Sequence, residues 1–329
     1  MRTLVTGAAG FIGSHLCDAL LSDGHEVVGL DAFISYYPRS IKEYNISHLR
    51  HEPRFTFYER DLRSDDLTDV LDGVEVVFHI AAMPGLLASW TQFDMYVSCN
   101  INATQRLLEA VKANGKIQQF IHASTSSVYG KYVVGPESMI RQPISPYGIT
   151  KLAGEHLVQT YETQFNIPTS ILRYYSVYGP RQRPDMGYQI FIDNILNGKP
   201  ITLFGDGTQR RGNTYVGDVV EATVLASKHF RRDTAYNIGG VEEISANEVV
   251  ALIEEITGKK ALITYGPERL GEQSRTLADI SAAQRDLCFY PSTTLREGLT
   301  AQIEWHKEQL RQSLTYFDTF DEDTEHHRR

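Results

Sequence analysis

The sequence predicts an α/β protein: a doubly wound, parallel sheet carrying a smaller α/β lobe that closes over it. Three observations predict it. Short apolar runs alternate with helical patterns, the first run passes straight into a glycine-rich turn, and proline- and arginine-rich loops take over after Tyr174. Strands that alternate with helices build parallel sheets, and ligands collect at the carboxyl ends of those strands.

Met1 to Thr6 reads as a short buried strand. It runs into Gly7-Ala8-Ala9-Gly10-Phe11-Ile12-Gly13 and then into a helical apolar pattern through Leu16, Ala19, Leu20 and Leu21. Strand, glycine turn and helix in this order form the context of a Rossmann-type dinucleotide fingerprint. The glycines let the backbone approach a pyrophosphate, and the helix N-terminus offers N–H groups to it. His25 to Leu30 reads as a second strand ending at Asp31. A carboxylate there accepts hydrogen bonds from ribose hydroxyls and repels a 2′-phosphate, so NAD is expected rather than NADP.

The alternation continues. Phe55 to Tyr58 is expected as a strand leading to Asp61, a candidate for the adenine amino group, and Val74 to Ile80 as a nearly continuous apolar strand. Ser89 to Asn114 reads as one long helix, and Ile117 to Ala123 as the strand delivering Ser124, Thr125, Ser126 and Ser127. Tyr147 to Phe165 reads as a second long helix and Pro168 to Leu172 as the next strand.

Tyr147 and Lys151 carry the chemistry. At (i, i+4) spacing a phenol and an ammonium share one helix face. A free phenol titrates near pH ~10. An ammonium about 4 Å away stabilises the phenolate by roughly 4 kcal/mol at an effective dielectric of ~20. With a pyridinium ring nearby the phenol pKa is expected to fall by about two to three. Such a tyrosine takes a proton from an alcohol while a hydride leaves the same carbon.

The chain has 329 residues, 42% hydrophobic, enough for one large domain and a smaller one. A net charge of −9 argues against a nucleic-acid partner. Three dispersed cysteines (Cys17, Cys99, Cys288) fit a reducing cytoplasm, and no apolar run approaches a membrane span. The eleven histidines show no metal spacing. Residues 1–175, with about 213–240, are read as the NAD-binding domain. Residues 176–212 and 241–312 are read as the second lobe, and 313–329 as a flexible acidic tail.

Together these segments resemble the extended short-chain dehydrogenase/reductases, and within them the nucleotide-sugar epimerases. The likeness rests on Thr6 to His15, His79-Ile80-Ala81-Ala82, Ala123 to Gly130, Tyr147 with Lys151, and Arg173 with Val177 to Pro180. Pro84-Gly85 with Ser89-Trp90, Thr104 to Ala110, and Gly179 to Met186 are similar to the bacterial UDP-glucuronic acid 4-epimerases.

The resemblance implies Tyr147 as base, Lys151 holding the nicotinamide ribose, and Thr125 bonding the sugar 4-oxygen. It implies a cofactor site of Gly7, Gly10, Phe11, Ile12, Gly13, Asp31, Asp61, Leu62, Ala81, Ala82 and Asn100, with Tyr147 and Lys151. Pro84, Ser126, Ser127, Ser176, Arg183, Arg211 and Arg275 would join Tyr147 on a UDP-sugar. Arg183 would face a uronic acid carboxylate, and Arg211 and Arg275 the phosphates. The two long helices would form a four-helix homodimer interface.

Three positions depart from that subgroup: Leu87, Gly212-Asn213 beside Arg211, and Gln189-Ile190. UDP-hexose 4-epimerase and UDP-glucuronate decarboxylase remain alternatives, as does an NAD-binding protein without turnover. A 4,6-dehydratase needs carboxylates where this chain has Ser126 and Ser127.

Overall fold

The computed structural model describes residues 1–325 apart from Phe230, Asp233, Val241 and Leu270, with side chains described as far as Arg311. The chain begins β1 (Arg2–Thr6), α1 (Phe11–Ser22), β2 (Glu26–Asp31), α2 (Arg39–Ile46), β3 (Phe55–Glu59) and β4 (Val76–His79). Next come α3 (Phe93–Val97), α4 (Ala103–Asn114), β5 (Gln119–Thr125), β6 (Tyr132–Gly135), α5 (Pro146–Phe165) and β7 (Thr169–Tyr174). There follow β8 (Val177–Tyr178), α6 (Gly187–Leu196), β9 (Pro200–Phe204), β10 (Arg210–Gly212), β11 (Thr214–Tyr215) and α7 (Val216–Lys228). The remainder is β12 (Thr234–Ile238), β13 (Glu243–Ser245), α8 (Ala246–Thr257), β14 (Leu262–Gly266), β15 (Arg275–Ala278), α9 (Ser281–Leu287) and α10 (Leu295–Glu325).

The central sheet has the order β12-β7-β5-β4-β1-β2-β3, every neighbouring pair parallel. This is the doubly wound sheet the sequence predicts. Its strands are apolar on both faces because both are covered. Val5, Val76, Phe78 and Ile121 pack with α1 and α7 on one face, in one core with Leu16, Leu20, Val219 and Val220. Leu4, Val77 and Phe120 pack on the other with Leu107, Leu108 and Val111 of α4 and Val158 of α5. Strand order reverses between β1 and β4, which opens a crevice at their carboxyl ends.

A four-stranded sheet of order β13-β10-β15-β6 lies apart from the central one, with β6 and β15 parallel and β10 and β13 antiparallel. Residues 132–135, within the first expected domain, thus leave the large sheet for this smaller one. A separate core joins α6, β9, α8 and α10 through Ile192, Ile201, Leu203, Val250, Ile253 and Leu299. Thr234 to Ile238 returns to the large sheet beside β7.

One expectation needs correction. Ser89 to Asn114 is not one helix: Gln92 (φ −123°, ψ 36°) lies outside helical geometry, and the helix starts at Phe93. A five-residue π turn, Ser98–Asn102, then separates α3 from α4. Such turns aim side chains that a regular helix would turn away. The expected tail is helical backbone to Glu325, and His326-His327 lie outside the described residues.

Candidate active site

One cleft runs along the carboxyl ends of the central strands. Gly7, Gly10, Phe11, Ile12, Gly13, Asp31, Asp61, Leu62, Ala81 and Ala82 line it, as do Pro84, Tyr147, Lys151 and Arg183. About half of its lining residues are ones the sequence singles out.

The end formed after β1 is shaped for a dinucleotide. A Cβ on residue 13 would sit 2.1 Å from the Gly7 carbonyl oxygen, so only glycine allows this turn. Gly10 caps α1 with no side-chain hydrogen bond, leaving the helix N–H groups facing the cleft for a pyrophosphate. Asp31 accepts the Phe33 N–H at 2.8 Å, which fixes its carboxylate at the end of β2. Lys42, which the sequence reading missed, is buried 3.7 Å from Asp31 and also lines the cleft. Asp61 is held by Arg63 at 2.7 Å.

At the middle of the cleft the helix start is set locally. Ser145 accepts the Gly148 N–H at 3.1 Å and Pro146 supplies a preset first turn, so α5 begins one residue before Tyr147. Gly148 lets this turn press on the Ser127 carbonyl, 2.6 Å from where a Cβ would be. That approach brings Tyr147 to Thr125 at the end of β5. Burial pushes the Tyr147 phenol above its usual range, and the Thr125 hydrogen bond and the Arg183 charge pull against that rise. Lys151 Nζ donates to the Ala123 carbonyl at 2.6 Å, and burial brings its pKa down to about 8 against the opposing charge of Glu155.

Glu155 is a residue the sequence reading missed, although it continues the 147, 151 face by one more turn. It is fully buried, accepts Ser124 Oγ at 2.5 Å, and pairs with Arg173 at 2.8 Å. Arg173 in turn donates to Tyr129 at 2.7 Å. This network fixes the end of β5 from behind.

Other predicted residues lie off the cleft wall. Asn100 sits in the π turn, where its Oδ1 accepts the Met83 N–H at 2.7 Å and its Nδ2 donates to Met83 O and Thr150. These bonds tie it to the loop holding Pro84. Ser126 is tied to Gln273, Ser127 donates its N–H to Thr125 Oγ1, and Ser176 is exposed. Arg211 makes no ion pair within 4 Å among the described residues, and burial lowers its pKa. Arg275, half-exposed on β15, is clamped by Glu243 at 2.6 and 2.9 Å and does not line the cleft. Arg269, unnoticed in the sequence, stacks 3.3 Å from the Phe204 ring and shares the field of Glu272 with Arg211.

Two of the departures acquire structural reasons. Gln189 joins Gln182, Gln302 and His306 in a buried amide network. Gly212 lies so close to β15 that a Cβ would meet the Thr276 carbonyl at 3.1 Å.

Residues 3–239 match the NAD dependent epimerase/dehydratase family. The chain belongs to this family. It is 49% identical over 310 residues to the uncharacterized UDP-glucose epimerase YtcB of Bacillus subtilis, covering 93% of this chain and 98% of that one. It is 36% identical to the UDP-glucuronate 4-epimerase of Thermodesulfobacterium geofontis, covering 93% and 96%. The crystal structure of UDP-glucuronic acid 4-epimerase from Bacillus cereus, with UDP-glucuronic acid and NAD, superposes with a TM-score of 0.91. That protein is 46% identical, with 94% of this chain and 100% of the other covered. The chain is accordingly an NAD-dependent UDP-sugar epimerase, an isomerase. Among the described residues no helix is long and apolar enough to cross a membrane.

Proposed function

We propose that this epimerase interconverts UDP-glucuronic acid and UDP-galacturonic acid through a 4-keto sugar. The observation that carries the reading is Arg183. It lines the same cleft as Tyr147 and Lys151, and its charge acts on the Tyr147 phenol. A uronic acid brings a carboxylate close to C4, and burying that charge needs a cation. The relatives that act on UDP-glucuronate support the same substrate.

In this reading the glycine turn, Asp31 and Lys151 hold NAD, which when bound supplies reversible hydride acceptance at the sugar C4. Tyr147 takes the 4-hydroxyl proton, and Thr125 bonds the 4-oxygen. The Lys151 ammonium, one helical turn from Tyr147, favours the phenolate. The keto sugar turns over in the cleft, and Tyr147 returns the proton to the oxygen on the opposite face. Arg211 meets the pyrophosphate, with Ser126, Ser127 and Ser176 near the sugar. Exposed Phe93, Ile149 and Phe165 give α3 and α5 an apolar outer face for a homodimer, in a cytoplasmic enzyme.

An NMR time course on the purified protein tests this, with UDP-glucuronate in one tube, UDP-glucose in another, and no added NAD. The expected result is a galacto-configured uronic acid signal in the first tube. UDP-xylose or a 4-keto pentose would make the enzyme a decarboxylase, and conversion of UDP-glucose alone would overturn the substrate. Arg183→Ala should raise KM for UDP-glucuronate about tenfold or more while leaving UDP-glucose nearly unchanged.

A further inference from the structure

Arg183 is already paired. Its Nε and Nη2 donate to the two Asp185 oxygens at 3.0 Å each, a fork-to-fork pair within one loop. Its third nitrogen, Nη1, donates to no described residue. Asp185 has a second partner, the Tyr36 hydroxyl at 3.3 Å, and the Arg183 guanidinium lies 5.7 Å from the Tyr36 ring centre. Arg183 is 17% exposed and Asp185 36%, so the arginine is the inner member.

The loop that carries the pair is anchored from outside the cleft. His15 bonds the Pro180 carbonyl at 2.9 Å, Arg181 pairs with Asp18 at 2.7 Å, and Gln302 accepts the Gly179 N–H at 3.0 Å. Asp185 is therefore presented to Arg183 by a fixed backbone. Any acid on the sugar must share the guanidinium with it or displace it.

We propose that Asp185 is the exchange carboxylate of the substrate site and thereby determines specificity. This rests on the reading that Arg183 faces the C6 group of the sugar. Epimerisation requires the 4-keto sugar to turn over, so its carboxylate must leave Arg183 once per turnover. A desolvated guanidinium left alone is costly. Asp185 keeps it paired, while the Tyr36 hydroxyl receives Asp185 when the sugar holds Arg183. The same charge weakens binding of a sugar acid without touching a neutral hydroxymethyl sugar. Like charges about 6 Å apart at an effective dielectric of ~40 correspond to about tenfold in affinity.

The test compares NAD-loaded wild type with Asp185→Asn, reading Kd for UDP-glucuronate and UDP-glucose by calorimetry, and kcat for each. The expected result is about tenfold tighter UDP-glucuronate, UDP-glucose within about twofold, and a lower kcat on the uronate alone. Tyr36→Phe removes the other partner of Asp185 and should shift the Kd ratio the opposite way. It also carries the test if Asp185→Asn does not fold. An unmoved Kd ratio, or weaker UDP-glucuronate binding in Asp185→Asn, overturns the proposal. A moved ratio in an enzyme that turns over no uronate would preserve the role of Asp185 and sink the proposed reaction instead.

Discussion

On the cofactor side of the cleft the binding wall is largely backbone: the turn at Gly7 to Gly13, the open N-terminus of α1, and the strand ends at Asp31 and Ala81. On the substrate side it is side chains, with Arg183 delivered by a loop that also carries its carboxylate partner Asp185. Backbone geometry at a tight turn is set by residues adjacent in sequence. The availability of an arginine is set by whichever acid the fold brings beside it. The first kind of wall is pre-formed, and the second is a balance of ion pairs that one charge can tip.

The largest effect should come where the two walls meet. Tyr147→Phe should lower kcat by more than ~10²-fold, the scale of general acid–base catalysis, while bound NAD co-purifies as in the wild type. Turnover close to wild type would remove the phenol from the mechanism. A contrast between two arginines sharpens the substrate side. Arg211→Ala should raise KM for UDP-sugars roughly ten- to a hundredfold, whereas Arg275→Ala, whose guanidinium already serves Glu243, should change it by less than about twofold. Equal losses in steady-state kinetics would mean that pairing does not decide which arginine binds.

The smallest effect tests the dry interior behind the cofactor wall. Burial pushes His79 down to about 3 and His122 well below the ordinary histidine value. Unfolded, both titrate near ~6.5. Below that pH the unfolded chain binds more protons than the folded one. Stability is therefore fully present above pH ~6.5 and falls by about 1.4 kcal/mol per pH unit per ring as pH drops. Neither His122 nitrogen has a hydrogen-bond partner, so His122→Leu loses none. Burial also lowers His15 to about 4, so urea unfolding at pH 6 and pH 5 should show roughly two-thirds of the wild-type slope in this variant. An unchanged slope would place the acid sensitivity elsewhere.

The fold was legible where signals are local. The β1 turn, the Ser145-Pro146 helix start and the apolar strands β4 and β5 each declare themselves within a few residues. The helix over Ser89 to Asn114 misled because its periodicity carries no mark of the break at Gln92 or of the π turn. In the site, Tyr147 and Lys151 were legible from spacing and Glu155 could have been, being one turn further on. Lys42 and Arg269 were not, since their partners Asp31 and Phe204 come from other segments.

By itself the sequence determined the sheet class, the dinucleotide turn and the shared face of Tyr147 and Lys151. These depend on backbone preference and periodicity, which act over a few residues. Only the tertiary structure decided that Arg275 is engaged by Glu243, that Arg183 and Tyr36 share Asp185, and that burial raises the Tyr147 phenol. Desolvation and charge pairing depend on which distant atoms share a few ångströms, and chain order alone does not specify that.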